Sequence, residues 1–259
     1  MARELTAVAG VVLSHLEYDL LWEDLDLGPH PYPLEVPSHG FTMAERDELG
    51  ARVFETLSQA RLIDEHEDVD SRLGEMLVLL ARPELSVDAV LFGEAPLRML
   101  AAAGRRQGVL AVLDEGELAL RPCRPDEIGD LVAAVIGDAA PGPGAAVRLP
   151  REAFSAAMRA YAEGGYTGFE RALSQAGITG RAVRALSTIV GTPRTASGQL
   201  AVNGPRGRSP IVSWYDTEAG RYGATVDDVA GGRWVTIAPA NGAWMAGRIG
   251  ELADRVTSG

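Results

Sequence analysis

The chain has 259 residues, 46% of them hydrophobic and 23% charged, so one large domain or two modest ones can each bury a real core. Its net charge is −12, every one of its 24 basic residues is arginine, and the acid is concentrated early. Residues 1–137 carry 11 arginines against 26 acidic residues, and 138–259 carry 13 against 10. This balance argues against sequence-blind binding to nucleic acid or docking on anionic lipid, both of which need a basic footprint.

Val8–Leu13 reads as a strand, and the chain turns helical from Leu16 to about Leu25. Pro29, Pro31, Pro33 and Pro37 then remove donors and fix φ, so residues 26–41 must be an extended connection. Thr42 and Glu45 form a capping-box pattern ahead of a helix striped by Leu49, Val53 and Leu57. Another helix starts near Asp70, puts Leu73, Met76, Leu77 and Leu80 on one face, and stops before Pro83. Four strands follow, Leu85–Phe92, Leu97–Ala103, Val109–Leu113 and Glu117–Arg121, with Asp114-Glu115-Gly116 a hairpin signal. Pro125 suits the first turn of a helix carrying Ile128, Leu131, Val132 and Val135, and residues 137–146 read as a linker.

The same order of elements then returns. Val147–Leu149 is strand-like and Arg151–Tyr161 helical, while Thr167-Gly168-Phe169-Glu170 repeats the capping pattern. Val183, Leu186 and Val190 line a helix that stops before Pro193. Strands are expected at Gln199–Val202, Ile211–Tyr215, Arg221–Val226 and Arg233–Ala238, and Asn241 can cap a last helix striped by Met245, Ile249, Leu252 and Val256. Val11-x-Leu13 matches Val147-x-Leu149, Leu79-Leu80…Pro83 matches Ile189-Val190…Pro193, and Val109-Leu110…Asp114 matches Ile211-Val212…Asp216. We read an internal duplication of one α+β unit, residues 1–137 and 147–259, packed as one body. A four-stranded sheet with helices on one side has open edges and a bare face, so two units should join into one composite antiparallel sheet.

Signals for chemistry are thin. His15, His30, His39 and His66 show no metal spacing, and there is no G-x-S-x-G, no C-x-x-C and no lysine for a Walker motif or a Schiff base. Asp64–Asp70 resembles a calcium loop but lacks the glycine and the closing glutamate, so a solvated acidic turn before a helix fits better. Gly142-x-Gly144 carries prolines that deny donors and reads as linker. No cofactor is therefore expected. No apolar run approaches the ~18 residues of a membrane span, so no membrane insertion is expected. Residues Met1–Leu5 show no secretory signal. The single cysteine, Cys123, has no partner for a disulfide and fits a reducing cytoplasm.

Large aromatics set among polar residues are what binding surfaces use, because they give area with few rotamers to freeze. Trp214, Tyr222, Trp234 and Trp244 in the near-neutral second half are therefore the candidate partner-binding residues, with the Arg206 and Arg208 turn at their rim. Segment 94–108, with its Gly104-Arg105-Arg106 turn, is a second candidate.

Four stretches together resemble the EspG family: Leu34-Glu35-Val36-Pro37-Ser38-His39-Gly40, the helix stop Ala81-Arg82-Pro83-Glu84, the Asp216-Thr217…Gly220-Arg221 turn, and Gly232-Arg233-Trp234-Val235-Thr236-Ile237-Ala238-Pro239. That family comprises the cytosolic chaperones of actinobacterial type VII (ESX) secretion. The resemblance implies an α+β fold with a central antiparallel sheet, helical bundles and two quasi-two-fold halves. It also implies a job without chemistry: binding the exposed apolar helical tip of PE/PPE-type substrates, or another secreted helical protein, through the sheet and the C-terminal helices. Two other readings remain open on the residues alone. One is a small-molecule enzyme with a site of scattered Asp, Glu and Arg, and the other is a self-associating structural subunit.

Overall fold

The structure is a computed structural model that describes residues 10–66, 68–229 and 231–258. Val8 and Ala9 of the first expected strand and Glu67 of the acidic loop lie outside them. In chain order the first half contains β1 (Val11–Ser14), α1 (His15–Asp24), α2 (Met43–Gln59), α3 (Ser71–Ala81), β2 (Leu85–Phe92), β3 (Leu97–Ala103), β4 (Gly108–Leu113), β5 (Glu117–Cys123) and α4 (Ile128–Ile136). The second contains β6 (Val147–Pro150), α5 (Arg151–Gln175), α6 (Arg181–Gly191), β7 (Arg194–Gly204), β8 (Gly207–Arg208), β9 (Val212–Thr217), β10 (Gly220–Val229), β11 (Gly232–Pro239) and α7 (Gly242–Thr257).

Local chemistry places the helix starts. Ser14 and Thr42 each accept from the backbone N–H three residues on, and Glu17 and Glu45 reach back to complete two capping boxes. Asp70 accepts from Leu73 N at 3.0 Å and Asn241 from Trp244 N at 2.9 Å. The Thr167–Glu170 pattern does not start a helix. The break in α5 falls earlier, at Gly164 and Gly165, where Gly165 takes φ +60° and ψ −150°, a backbone conformation that suits glycine. Thr167 thus already lies in the first helical turn after the break, past the position from which a side chain caps.

All strands join one antiparallel sheet in the order β1-β5-β4-β3-β2-β7-β9-β10-β11-β6, with β8 hairpinned onto β7. The two halves meet at β2 and β7, edge to edge. Both outer edges are strands of four residues, one ending in Pro150, which leaves little open ladder for another chain to extend.

The strand order of one half repeats the other, and the register locates the axis. Starting from Val11 and Val147, the rungs bring Leu120 onto Ile237, Ala111 onto Ala224, Leu100 onto Ser213 and Asp88 onto Gln199. The pseudo-two-fold therefore passes between Ala89 and Leu200, which face each other across the junction. This corrects one sequence match. Val109–Leu113 is the third strand from the axis and Val212–Thr217 the second, so the counterpart of β4 is β10 and not β9. The helix stops at Pro83 and Pro193 do correspond, and an irregularity between Arg194 and Ala196 absorbs the one-residue shift that follows.

Helices cover both faces rather than one. On one face α4 and α7 pack together across the junction, with Gly129 of α4 against Ala246 of α7. Their core takes Ile128, Val132, Met245, Ile249 and Leu252 together with Val87, Ala89, Leu200, Val202 and Trp214 of the sheet. On the opposite face α1, α2 and α3 cover Leu100, Ala102, Ala111 and Leu120, and α5 and α6 cover Tyr222, Val235 and Ile237. Among the described residues no helix lies over the middle of the sheet between these last two groups.

Candidate partner-docking face

Alternation along the four central strands shows which side is open. Val87, Ala89, Met99, Leu200, Val202, Val212 and Trp214 point under α4 and α7 and are buried. Their neighbours Val90, Phe92, Arg98, Ser197, Gln199, Ser213 and Tyr215 point the other way and stay partly or fully exposed, Phe92 at 57%. The ladder sets them in rows: Arg98, Val90, Gln199 and Ser213 across β3, β2, β7 and β9, then Phe92, Ser197 and Tyr215 beside them.

One wall of this floor is the proline-rich segment between α1 and α2, an extended strap as expected. Leu34 and Val36 anchor it in the first-half core. Trp22 Nε1 donates to Gly28 O at 2.8 Å, and Asp19 accepts from His39 N at 2.9 Å. Arg46 donates to the same carboxylate at 3.2 Å. His30 sits against Tyr18 and Trp22, ring centroids 4.7 and 5.6 Å away, and burial lowers its pKa against the opposing pull of Asp19 and Glu35. The Tyr18 hydroxyl is buried in the same packing, which raises its pKa, with the charge of Glu35 adding to the effect. From the floor itself, Arg98 Nη1 donates to Glu35 O at 2.7 Å and ties the strap to β3. The other wall is the second-half helix group. Tyr166, just past the α5 break, packs edge-on to Tyr161 at 5.3 Å, and Arg194 lies over the Tyr215 ring at 4.5 Å.

The six residues picked from the sequence are not brought together. Trp214 is 1% exposed under α7, its ring pressed on Gly198 where no Cβ would fit. Tyr222 is also 1% exposed, packed on Gly142 of the linker, and its hydroxyl donates to Pro143 O at 3.0 Å. Neither can meet a partner in this conformation, and the reason is the same for both. A glycine opposite each ring lets the sheet or linker close over a large aromatic. Trp244 is half-buried on α7 and packs on Gly223. Trp234 is half-buried on β11, opposite Asp227, with Arg148 over its ring at 5.5 Å, on the face away from the open floor. Arg206 is turned to the end of α7, its backbone N–H donating to Val256 O at 3.1 Å and its guanidinium to Ser258 O.

Arg208 alone reaches the open side. It forks onto Asp88, Nη2 to Oδ1 at 2.8 Å, and shares Asn203 Oδ1 at 3.0 Å. In segment 94–108, β3 is buried apart from Arg98, and Arg105 and Arg106 lie exposed at the turn, Arg105 3.5 Å from Glu84. The floor residues Val90, Phe92, Gln199 and Tyr215 escaped the sequence reading. Their only signal is that Ser213-x-Tyr215 interleaves with Val212-x-Trp214, which marks two faces but not which one is covered.

Among the described residues no group of three or more His, Cys, Asp or Glu is placed to hold a metal ion. The buried ion pairs, Asp88 with Arg208 and Asp216 with Arg221, are satisfied by their partners. Among the described residues no helix is long and apolar enough to cross a membrane.

The sequence model of the EspG family matches residues 14–251. The chain belongs to the EspG family. No curated protein matches it significantly in sequence. Among solved structures it superposes on a chain of the Mycobacterium tuberculosis type VII secretion system chaperone EspG5 in complex with a PE25–PPE41 dimer. The match has a TM-score of 0.75 at 17% identity and covers 97% of this chain and 98% of that one. At this identity the likeness is one of fold: the EspG architecture is retained from end to end while most side chains differ. The four stretches that carried the resemblance have structural duties here. One is the strap, another the end of α3, and the turn at Asp216–Arg221 and the strand at Gly232–Pro239 close the far end of the sheet.

Proposed function

We propose that this EspG chain is a cytosolic holding chaperone of type VII secretion, which binds the apolar helical tip of a PE/PPE-type substrate and keeps it soluble without altering it covalently. Family membership supports the reading, as does the shared fold with a chaperone captured with a PE25–PPE41 dimer. The observation that carries it is the uncovered middle of the sheet. An antiparallel sheet normally buries a face against another layer, and here two central rows, Val90–Gln199 and Phe92–Ser197, lie open between the strap and the second-half helices. Such a trough is wide enough in chemistry to take helix ends, since it offers apolar side chains at Val90, Phe92 and Tyr215 and hydrogen-bonding ones at Gln199, Ser197 and Ser213.

Magnitude favours a reversible grip. Covering about 400 Å² of apolar surface at about 25 cal/mol per Å² gives about 10 kcal/mol gross. Association and side-chain ordering consume much of that, leaving affinities of roughly micromolar to nanomolar. A complex of that strength protects an aggregation-prone tip and still lets go.

The test is co-expression with PE/PPE-like pairs followed by pull-down and size-exclusion chromatography. A soluble one-to-one-to-one complex is expected with wild type, and Val90→Arg, which puts a charge in the middle of the floor, should abolish it. Failure of every pair to bind wild type removes the reading.

A further inference from the structure

The pseudo-two-fold axis at Ala89 and Leu200 exchanges two rows of the same sheet face. Asp88–Ala201 maps onto Gln199–Val90. In a symmetric molecule both rows would be covered or both bare. Here Asp88 is 3% exposed and Ala201 0%, whereas Gln199 is exposed and Val90 only half-buried. The difference accompanies two features of the fold, the strap and the β8 strand that carries Arg208. Between α1 and α2 the first half carries the strap, and at the corresponding place the second half has only the Gly164–Gly165 break in α5. Arg208 closes the Asp88–Ala201 row and the strap's Tyr32 stands against Arg208, ring centroid 5.9 Å from the guanidinium carbon. Among the described residues no such segment closes the related row.

Two aromatics of the strap face outward, Tyr32 and Phe41, and Tyr32 is the one that stands against Arg208. It is 55% exposed, while its neighbours Pro33 and Leu34 are buried and the carbonyl of Glu35 is held by Arg98. An aromatic side chain with two torsions, on a backbone fixed at several points, loses little entropy when a partner packs on it, which is what makes Tyr an energetic anchor at interfaces.

Resting on the docking role proposed above, we infer that the strap is the partner-selecting wall of the open face, and that Tyr32 is its contact residue for the helical tip. The strap thus backs the Arg208 that closes one of the two equivalent rows, and through Glu35 and Arg98 it is tied to the end of the other. Selection among tips then depends on what packs against Tyr32, and the sheet floor supplies binding common to all of them.

The test measures Kd of the full chain for two different PE/PPE-like pairs, one that co-purifies with it and one that binds more weakly. Tyr32→Ala should raise Kd for the preferred pair about 10- to 100-fold, narrow the preference between the pairs, and leave the thermal melt unchanged. Tyr32→Phe, which keeps the ring, should stay within about threefold of wild type. Val90→Arg should abolish binding of both pairs. If Tyr32→Ala binds both pairs as wild type does while Val90→Arg binds neither, the strap has no selecting role and the docking face stands. If Val90→Arg also binds normally, the docking face itself is wrong and the inference falls with it.

Discussion

The guanidinium of Arg221 is 1% exposed and spends four hydrogen bonds. It forks onto Asp216, Nε to Oδ1 at 2.5 Å and Nη2 to Oδ2 at 2.8 Å, and donates to Gly137 O at 2.7 Å and Ile136 O at 3.1 Å. The last two are carbonyls at the end of α4, where a helix leaves acceptors unpaired and its dipole favours a cation. One side chain of β10 therefore caps a helix of the other half. Arg221→Met should cost about 3–5 kcal/mol in urea unfolding, because it strands a largely buried carboxylate and two carbonyls. Arg221→Lys should recover only part of this, since an ammonium cannot reproduce the fork. A loss below about 1 kcal/mol in the Met variant would show that water replaces the clamp. The Asp216…Arg221 spacing was visible in the sequence as a family feature. Its purpose was not, because the acceptors it serves lie more than eighty residues away along the chain.

At the scale of elements, local signals served well where the partner groups are also local. The capping box at Thr42 and Glu45, the caps at Asp70 and Asn241, and the proline stops at Pro83 and Pro193 all lie at helix ends as read. The same grammar misled at Thr167–Glu170. A capping box works only if the chain has left the helix just before it, and here Gly164 and Gly165 make the break two residues earlier. Gly165→Ala should destabilise the protein by about 1–3 kcal/mol, read as a lower urea midpoint with unchanged slope, because a Cβ opposes its φ and ψ. A neutral result would mean α5 runs on unbroken in solution. Gly198 stands just before the strand expected at Gln199–Val202, and Gly223 inside the one expected at Arg221–Val226. Each makes room for a tryptophan ring from outside its strand, Trp214 and Trp244. Sequence alone has no means of pairing a glycine with an aromatic on another element.

At the scale of the whole molecule, the core under α4 and α7 draws on β2, β3 and β4 of one half and on β7 and β9 of the other. The junction adds a seven-rung ladder and the Asp88–Arg208 pair. Neither half can keep that core without the other. We therefore predict one cooperative urea transition, with far-UV circular dichroism and tryptophan fluorescence coincident, Trp22 reporting from the first half and Trp214 from the second. Two separated transitions would mean the halves are independent domains. The duplication also explains why two of the aromatics singled out from the sequence are buried. Aromatic content pointed to Trp214 and Tyr222, and large aromatics are what a packed junction absorbs first, since they bury the most area.

Periodicity, proline and glycine placement and capping chemistry determine this chain's elements and their repeated order, because those signals act over a few residues. They also imply that two half-sheets must meet, since an uncovered edge or face is costly wherever it occurs. Only the tertiary structure decides which rows stay bare. That choice goes with the strap and the Arg208 strand β8, neither of which has a matching element among the described residues of the other half, and with β-strand alternation, which sends adjacent residues to opposite faces whose covering helices come from distant parts of the chain.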